Sequence, residues 1–140
     1  MKSFIMRMAF IVSAIIACSN SSQATVTFKI NVEITADNCI PSGYQGNYVI
    51  YCTIRDVYGT PVGIGQKSGI SYKDIGNPLQ MSFQSNIDDQ LAACNYSVEL
   101  VVCRQTTPLS CCSSPFTNPG QCWDCLVGTG SSCPIYYVSL

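Results

Sequence analysis

Residues 25–35 read TVTFKINVEIT, Thr25 to Thr35, and alternate apolar and polar side chains almost without a break. Val26, Phe28, Ile30, Val32 and Ile34 fall on one side of an extended backbone, with Thr, Lys, Asn and Glu on the other. Successive side chains of a strand point to opposite faces, so this period of two marks a strand half-buried against a core. No segment of the chain sustains the 3.6-residue period of an amphipathic helix.

The same pattern recurs downstream. Tyr48 to Arg55 places Tyr48, Ile50, Cys52 and Ile54 on one face. Val62 to Ile64 follows the turn Asp56 to Pro61. Leu79, Met81 and Phe83 alternate after Pro78, Tyr96, Val98, Leu100 and Val102 form another set, and Ile135 to Leu140 is placed to close the domain. Asp37 to Gly46 is a loop by its Asp, Asn, Pro, Ser and Gly content, and Asp88 to Cys94 has room for one helical turn. Six or seven short strands separated by turn signals predict an all-β fold, a small antiparallel β-sandwich with a disulfide-rich C-terminal flap. The nearest classes, by analogy, are Ig-like and transthyretin-like. The immunoglobulin hallmark is missing, because no Trp follows Cys52 in a third strand.

Upstream of the first strand the chain reads as an export signal. Lys2 and Arg7 make a basic start, and Ala9 to Ala17 is an apolar run of nine residues. A membrane span needs ~20 apolar residues, so the run fits a cleavable secretory signal over residues 1–24, cut after Ala24. Ile15-Ile16-Ala17-Cys18 also fits a bacterial lipobox. In that alternative residues 1–17 are removed and Cys18 is acylated, anchoring the protein to a membrane. Residues 25–104 then form the sandwich body, and residues 105–140 a cysteine-rich flap and closing strand of the same domain.

Past residue 24 the chain has five basic and eight acidic side chains, a net charge of −3. With no basic patch, nucleic acid is not an expected partner. Histidine is absent from the whole chain, which removes histidine general bases, histidine triads and histidine metal ligands together. The Gly63 to Gly69 stretch (GIGQKSG) lacks phosphate-loop spacing and lies among strands. No cofactor is expected. Asp88-Asp89 is an adjacent acidic pair that reads first as a solvated loop and only second as a calcium or catalytic site.

Nine cysteines follow the signal: Cys39, Cys52, Cys94, Cys103, Cys111, Cys112, Cys122, Cys125 and Cys133. In an exported chain they read as disulfides before they read as a zinc site. An odd number leaves one thiol free or bridged to another chain. Cys111 and Cys112 are neighbours and belong to different bridges, and Cys94 and Cys103 lie too far apart along one strand to pair. The expected pairings are Cys52 with Cys94, and Cys39 with Cys103 or with one of the Cys111/Cys112 pair. Six cysteines crowd into residues 103–133, where apolar periodicity disappears, so disulfides are expected to hold that stretch as a flap.

Three functions follow from this reading. The leading one is a secreted or cell-surface, non-enzymatic structural or adhesive protein, self-assembling or crosslinked through the unpaired cysteine, with itself or other surface proteins as partners. The strand from Thr25 begins at the signal cut, where a free strand could complete a neighbour's sheet. The opening ATVTFKINVEITADNC, Ala24 to Cys39, is similar to the start of pilin-type secreted sandwiches over about 16 residues, and the six-cysteine tail departs from that pattern. The second is an extracellular module that binds a glycan or protein through the tail, with Trp123 and Phe116 as contacts. The third is thiol–disulfide redox chemistry at Cys122-Trp123-Asp124-Cys125, a CxxC that lacks a good helix after it. Asn95-Tyr96-Ser97 is an N-glycosylation sequon at Asn95.

Overall fold

A computed structural model describes residues 25–85 and 94–140. These residues form eight strands: β1 (Val26–Ala36), β2 (Asn47–Arg55), β3 (Pro61–Ser71), β4 (Leu79–Ser85), β5 (Tyr96–Arg104), β6 (Ser110–Cys112), β7 (Phe116–Gln121) and β8 (Ile135–Ser139). A short helix, α1 (Trp123–Leu126), sits between β7 and β8, and one turn of 3-10 helix (Tyr72–Asp74) follows β3. The strands form two sheets. One runs β4-β1-β8; the other runs β3-β2-β5, and both β6 and β7 pair the far side of β5.

The alternation in each strand decides which side chains meet between the sheets. Phe28, Ile30, Val32 and Ile34 from β1 pack against Tyr48, Ile50, Cys52 and Ile54 from β2 and Val98, Leu100 and Val102 from β5. Met81, Tyr136 and Val138 complete the layer. All of these are buried, so the two-residue period identified the core face of β1, β2 and β5; in β3 it did not, since Ile64 is exposed and Gly63 and Ile70 face inward.

β3 comes close to the opposite sheet because it carries glycine where other strands carry bulk. A Cβ on Gly63 would lie 2.5 Å from the Phe28 ring, and one on Gly65 would lie 2.3 Å from Phe83 Cγ. The Gly63 to Gly69 stretch is therefore strand, and its glycines make room for two aromatic rings. The turn before it is held by Asp56, whose Oδ1 accepts the N–H groups of Tyr58 and Thr60, both at 2.9 Å. Asp and Gly at such positions satisfy turn backbone at low steric cost.

Three details differ from expectation. The sandwich is not wholly antiparallel, since β8 runs parallel to β1, with Val32 opposite Tyr136. A parallel pair needs a long crossover between its strands, and the whole chain between them serves as that crossover. The disulfide-rich C-terminal tail is present as expected, and it is also joined into the sheet and the core. β6 and β7 extend the second sheet, and Trp123 and Leu126 of α1 enter the core. The free N-terminal strand is corrected too: β1 is bonded on both sides, to β4 and to β8, and has no open edge to offer a neighbour.

Candidate functional site

Among the described residues the cysteines form four bridges: Cys39–Cys111, Cys94–Cys122, Cys103–Cys112 and Cys125–Cys133. Cys111 and Cys112 do go to different partners, Cys94 and Cys103 do not pair, and Cys39 takes one of the adjacent pair. The Cys52–Cys94 pairing is overturned. Cys52 lies mid-strand opposite Leu100, and Cys94 precedes the start of β5, so six residues of strand, about 20 Å, separate their levels. Cys52 is the unpaired thiol among the described residues, and it is 1% exposed in the core. Burial, with a smaller push from Glu99, raises its pKa to about 12. A thiol so enclosed and so weakly acidic neither reaches another chain nor acts as a nucleophile.

The CxxC is likewise divided. Cys122 bridges to Cys94 at the start of β5, and Cys125 closes a short loop with Cys133. The two sulfurs of a redox CxxC must bond each other, and here each is committed elsewhere. Among the described residues no three His, Cys, Asp or Glu side chains cluster as metal ligands.

At the end of the sandwich where β1 finishes and β2 begins, charge and disulfides converge. Arg104, the last residue of β5, is 4% exposed. Its Nε donates to Asp37 Oδ2 at 2.8 Å and its Nη2 to Asp37 Oδ1 at 3.0 Å, a two-pronged pair. Tyr48 Oη donates to Asp37 Oδ2 at 2.7 Å, and the Cys39 amide donates to Oδ1 at 2.9 Å. Arg104 Nη2 also donates to the Cys39 carbonyl at 3.1 Å, and its guanidinium lies 4.8 Å from the Tyr44 ring centre. Burial of Asp37 works against its charge, but the bonds from Arg104, Tyr48 and Cys39 outweigh it and hold its carboxyl below the ordinary value. Tyr48 is pushed up, by burial first and then by the carboxylate it serves. A buried ion pair persists when hydrogen bonds fill its remaining positions, and here every carboxylate oxygen has two donors.

This clasp fixes the backbone from which two loops depart. The loop after β1 leaves from Cys39, and the loop after β5 returns through Cys111, so the Cys39–Cys111 bridge ties them together. Cys103–Cys112 secures the second loop to β5 one residue further on. Cys111 itself has a positive φ of 42°, an uncommon backbone for a residue with a Cβ. On the tied loops Ile40 is 94% exposed and Leu109 is 43% exposed. The two stand one residue from Cys39 and two from Cys111. Loops fixed on a rigid scaffold are where binding residues tend to sit. The opposite end exposes Val57 and Tyr58 on the β2–β3 turn. A polar cleft of about 340 Å³ lies between the end of β3 and the start of β4, with Lys67, Asp74 and Asn77 in its wall.

The other sequence-predicted residues are dispersed. Trp123 is 6% exposed, with its ring edge-on to Phe28 at 5.6 Å and near Tyr96 at 5.5 Å. It is a core residue and offers no face for stacking a sugar, which corrects its assignment as a ligand contact. Phe116 is half-buried against the same core. Asn95 is exposed just ahead of β5. Cys18, Asp88 and Asp89 lie outside the described residues, as does the signal segment. Among the described residues no helix is long and apolar enough to cross a membrane. Sequence reasoning missed Asp37, Arg104, Ile40 and Leu109. The only available signal was their position beside cysteines, since each stands within two residues of one. The chain matches no protein-family model, and comparison with curated proteins and with solved structures likewise gives no match.

Proposed function

We propose that this protein is an exported, extracellular, non-enzymatic adhesive module whose disulfide-tied loop end, carrying Ile40 and Leu109, contacts a protein surface. The observation that carries the reading is the contrast at that end. Two disulfides and a buried ion pair immobilise the loops, and yet two large apolar side chains stand in solvent on them. Ordering a loop in advance removes an entropic cost that would otherwise fall on binding. Export is supported by the basic and apolar layout of the first 24 residues and by four bridges, which persist in oxidising surroundings. Crosslinking between chains through the odd cysteine is no longer part of the reading, because Cys52 is enclosed.

The test is retention of protein-coated beads on cell monolayers and on immobilised extracellular proteins, in flow. Wild-type beads are expected to be held, and Ile40→Asp with Leu109→Asp to release them without loss of thermal stability. Retention that survives the double change, or that free sugars compete away, would move the binding site elsewhere and favour a glycan module. Absence of retention on every surface sinks the adhesive reading.

A further inference from the structure

Among the described residues the two sheets end in strands whose outer backbone groups have no sheet partner, and proteins protect such edges with charge, proline, shortness or a covering element. On one side β3 and β4 close against each other, with Ser85 Oγ donating to the Val62 carbonyl, and β3 also carries Lys67. In the second sheet β7 contains Pro119 and Gly120, and β6 has three residues. The remaining edge is β8. Ile135 to Leu140 reads IYYVSL, with no charge, proline or glycine. Four of its residues are β-branched or aromatic, the types that favour strands. Among the described residues β8 pairs with β1 alone.

The hydrogen bonding shows which groups face outward. Leu140 donates its N–H to the Ala36 carbonyl at 3.1 Å, and its carbonyl accepts from the Asn38 N–H at 3.0 Å. Its backbone therefore faces β1. Alternation along a parallel ladder puts Tyr136 and Val138 on that same side and leaves the N–H and C=O of Tyr137 and Ser139 pointing away from the sheet. Tyr137 is also 58% exposed.

We infer that β8 is a self-pairing edge: two copies of this protein join antiparallel through Ile135–Ser139, centred on Tyr137, into a continuous six-stranded sheet. The occupant is a second copy because the strand is complementary to itself. Antiparallel pairing about Tyr137 sets Tyr137 opposite Tyr137 and Ile135 opposite Ser139, with no charge in the seam. The two Tyr137 residues exchange both backbone bonds, as an outward-facing pair does. Such two-fold pairing closes on itself and stops at the dimer. The charged side chain in register with Tyr137 on β1 is Glu33. Across the seam the two Glu33 side chains stand three strand spacings apart, roughly 14 Å, beyond the ~8 Å screening length of physiological salt. Because the paired strands run in opposite directions, the two Cys39–Cys111 ends point away from each other. The dimer thus presents two contact ends on opposite sides, which suits a bridge between surfaces. This last consequence rests on the adhesive reading, whereas the dimer does not.

Sedimentation velocity over a wide concentration series tests the proposal, with the purified, oxidised protein. The wild type is expected to show a concentration-dependent dimer. Tyr137→Pro removes an outward N–H while sparing the bonds to β1, and Tyr137→Lys sets two like charges face to face. Both are expected to sediment as monomers, and Tyr58→Lys, at the exposed far turn, as the wild type does. Tyr137→Lys is expected to keep the monomer's melting temperature, which guards against a folding failure in the proline variant. A wild type that stays monomeric throughout, or a dimer that Tyr137→Lys leaves intact, overturns the proposal. Bead retention by the monomeric Tyr137→Lys protein keeps that outcome separate from failure of the loop-end reading, which Ile40→Asp probes without altering sedimentation.

Discussion

Removing the Cys39–Cys111 bridge by Cys39→Ala with Cys111→Ala should cost more stability than removing any other bridge. The reason is loop length. A bridge stabilises largely by excluding open conformations of the unfolded chain, and the effect grows with the logarithm of the span it closes. Cys39 and Cys111 are 72 residues apart, whereas Cys94–Cys122 spans 28, Cys103–Cys112 spans 9 and Cys125–Cys133 spans 8. The chain-entropy relation then assigns about 4.4, 3.6, 2.6 and 2.5 kcal/mol to them in that order. In a domain of this size each kcal/mol moves the melting temperature by roughly 4 °C, so the first double variant should lose about 18 °C and the Cys125/Cys133 variant about 10 °C. Differential scanning calorimetry under non-reducing conditions measures both, and near-ultraviolet circular dichroism confirms that each variant is folded at the start. Equal losses, or a larger loss from the eight-residue bridge, would show that native packing around the sulfurs outweighs loop closure here.

Three further outcomes follow from the same geometry. The Cys52 thiol should resist alkylation by iodoacetamide in the native protein at neutral pH and react once the chain is unfolded in urea, since the core encloses it; native-state labelling would refute that enclosure. Gly65→Ala should destabilise by about 1–3 kcal/mol through overpacking, read as a lower urea midpoint, because the new methyl meets Phe83 near its backbone and not at a mobile ring edge. Asp37 has a folded pKa below its unfolded value, so its contribution is present above the ordinary carboxylate range and is lost as pH falls through the folded pKa; Asp37→Asn should flatten that acid limb of urea stability and lower stability at pH 7.

The strands of this protein were legible because a strand's exposure pattern is local. Val26 to Ile34, Tyr48 to Ile54 and Tyr96 to Val102 alternate with a period set by backbone geometry alone, and each alternation named its own core face. The separation of Cys111 from Cys112, and of Cys94 from Cys103, was legible for the same reason, since bond lengths and strand rise suffice to exclude those pairs. The disulfide-tied loop end was not. Arg104 and Asp37 are 67 residues apart, and nothing in the neighbourhood of either charge announces that it is buried.

What the amino-acid order determined by itself was therefore an all-β chain, the inward side of β1, β2 and β5, an unmatched ninth cysteine and the lack of histidine chemistry. Tertiary structure alone decided which cysteine is unmatched, that β8 lies parallel to β1, that Trp123 faces the core, and that Ile40 and Leu109 share one tied end. The physical reason is range. Alternation is written by neighbours two residues apart, whereas a bridge, an ion pair or a sheet edge depends on how segments far apart in the chain are brought together.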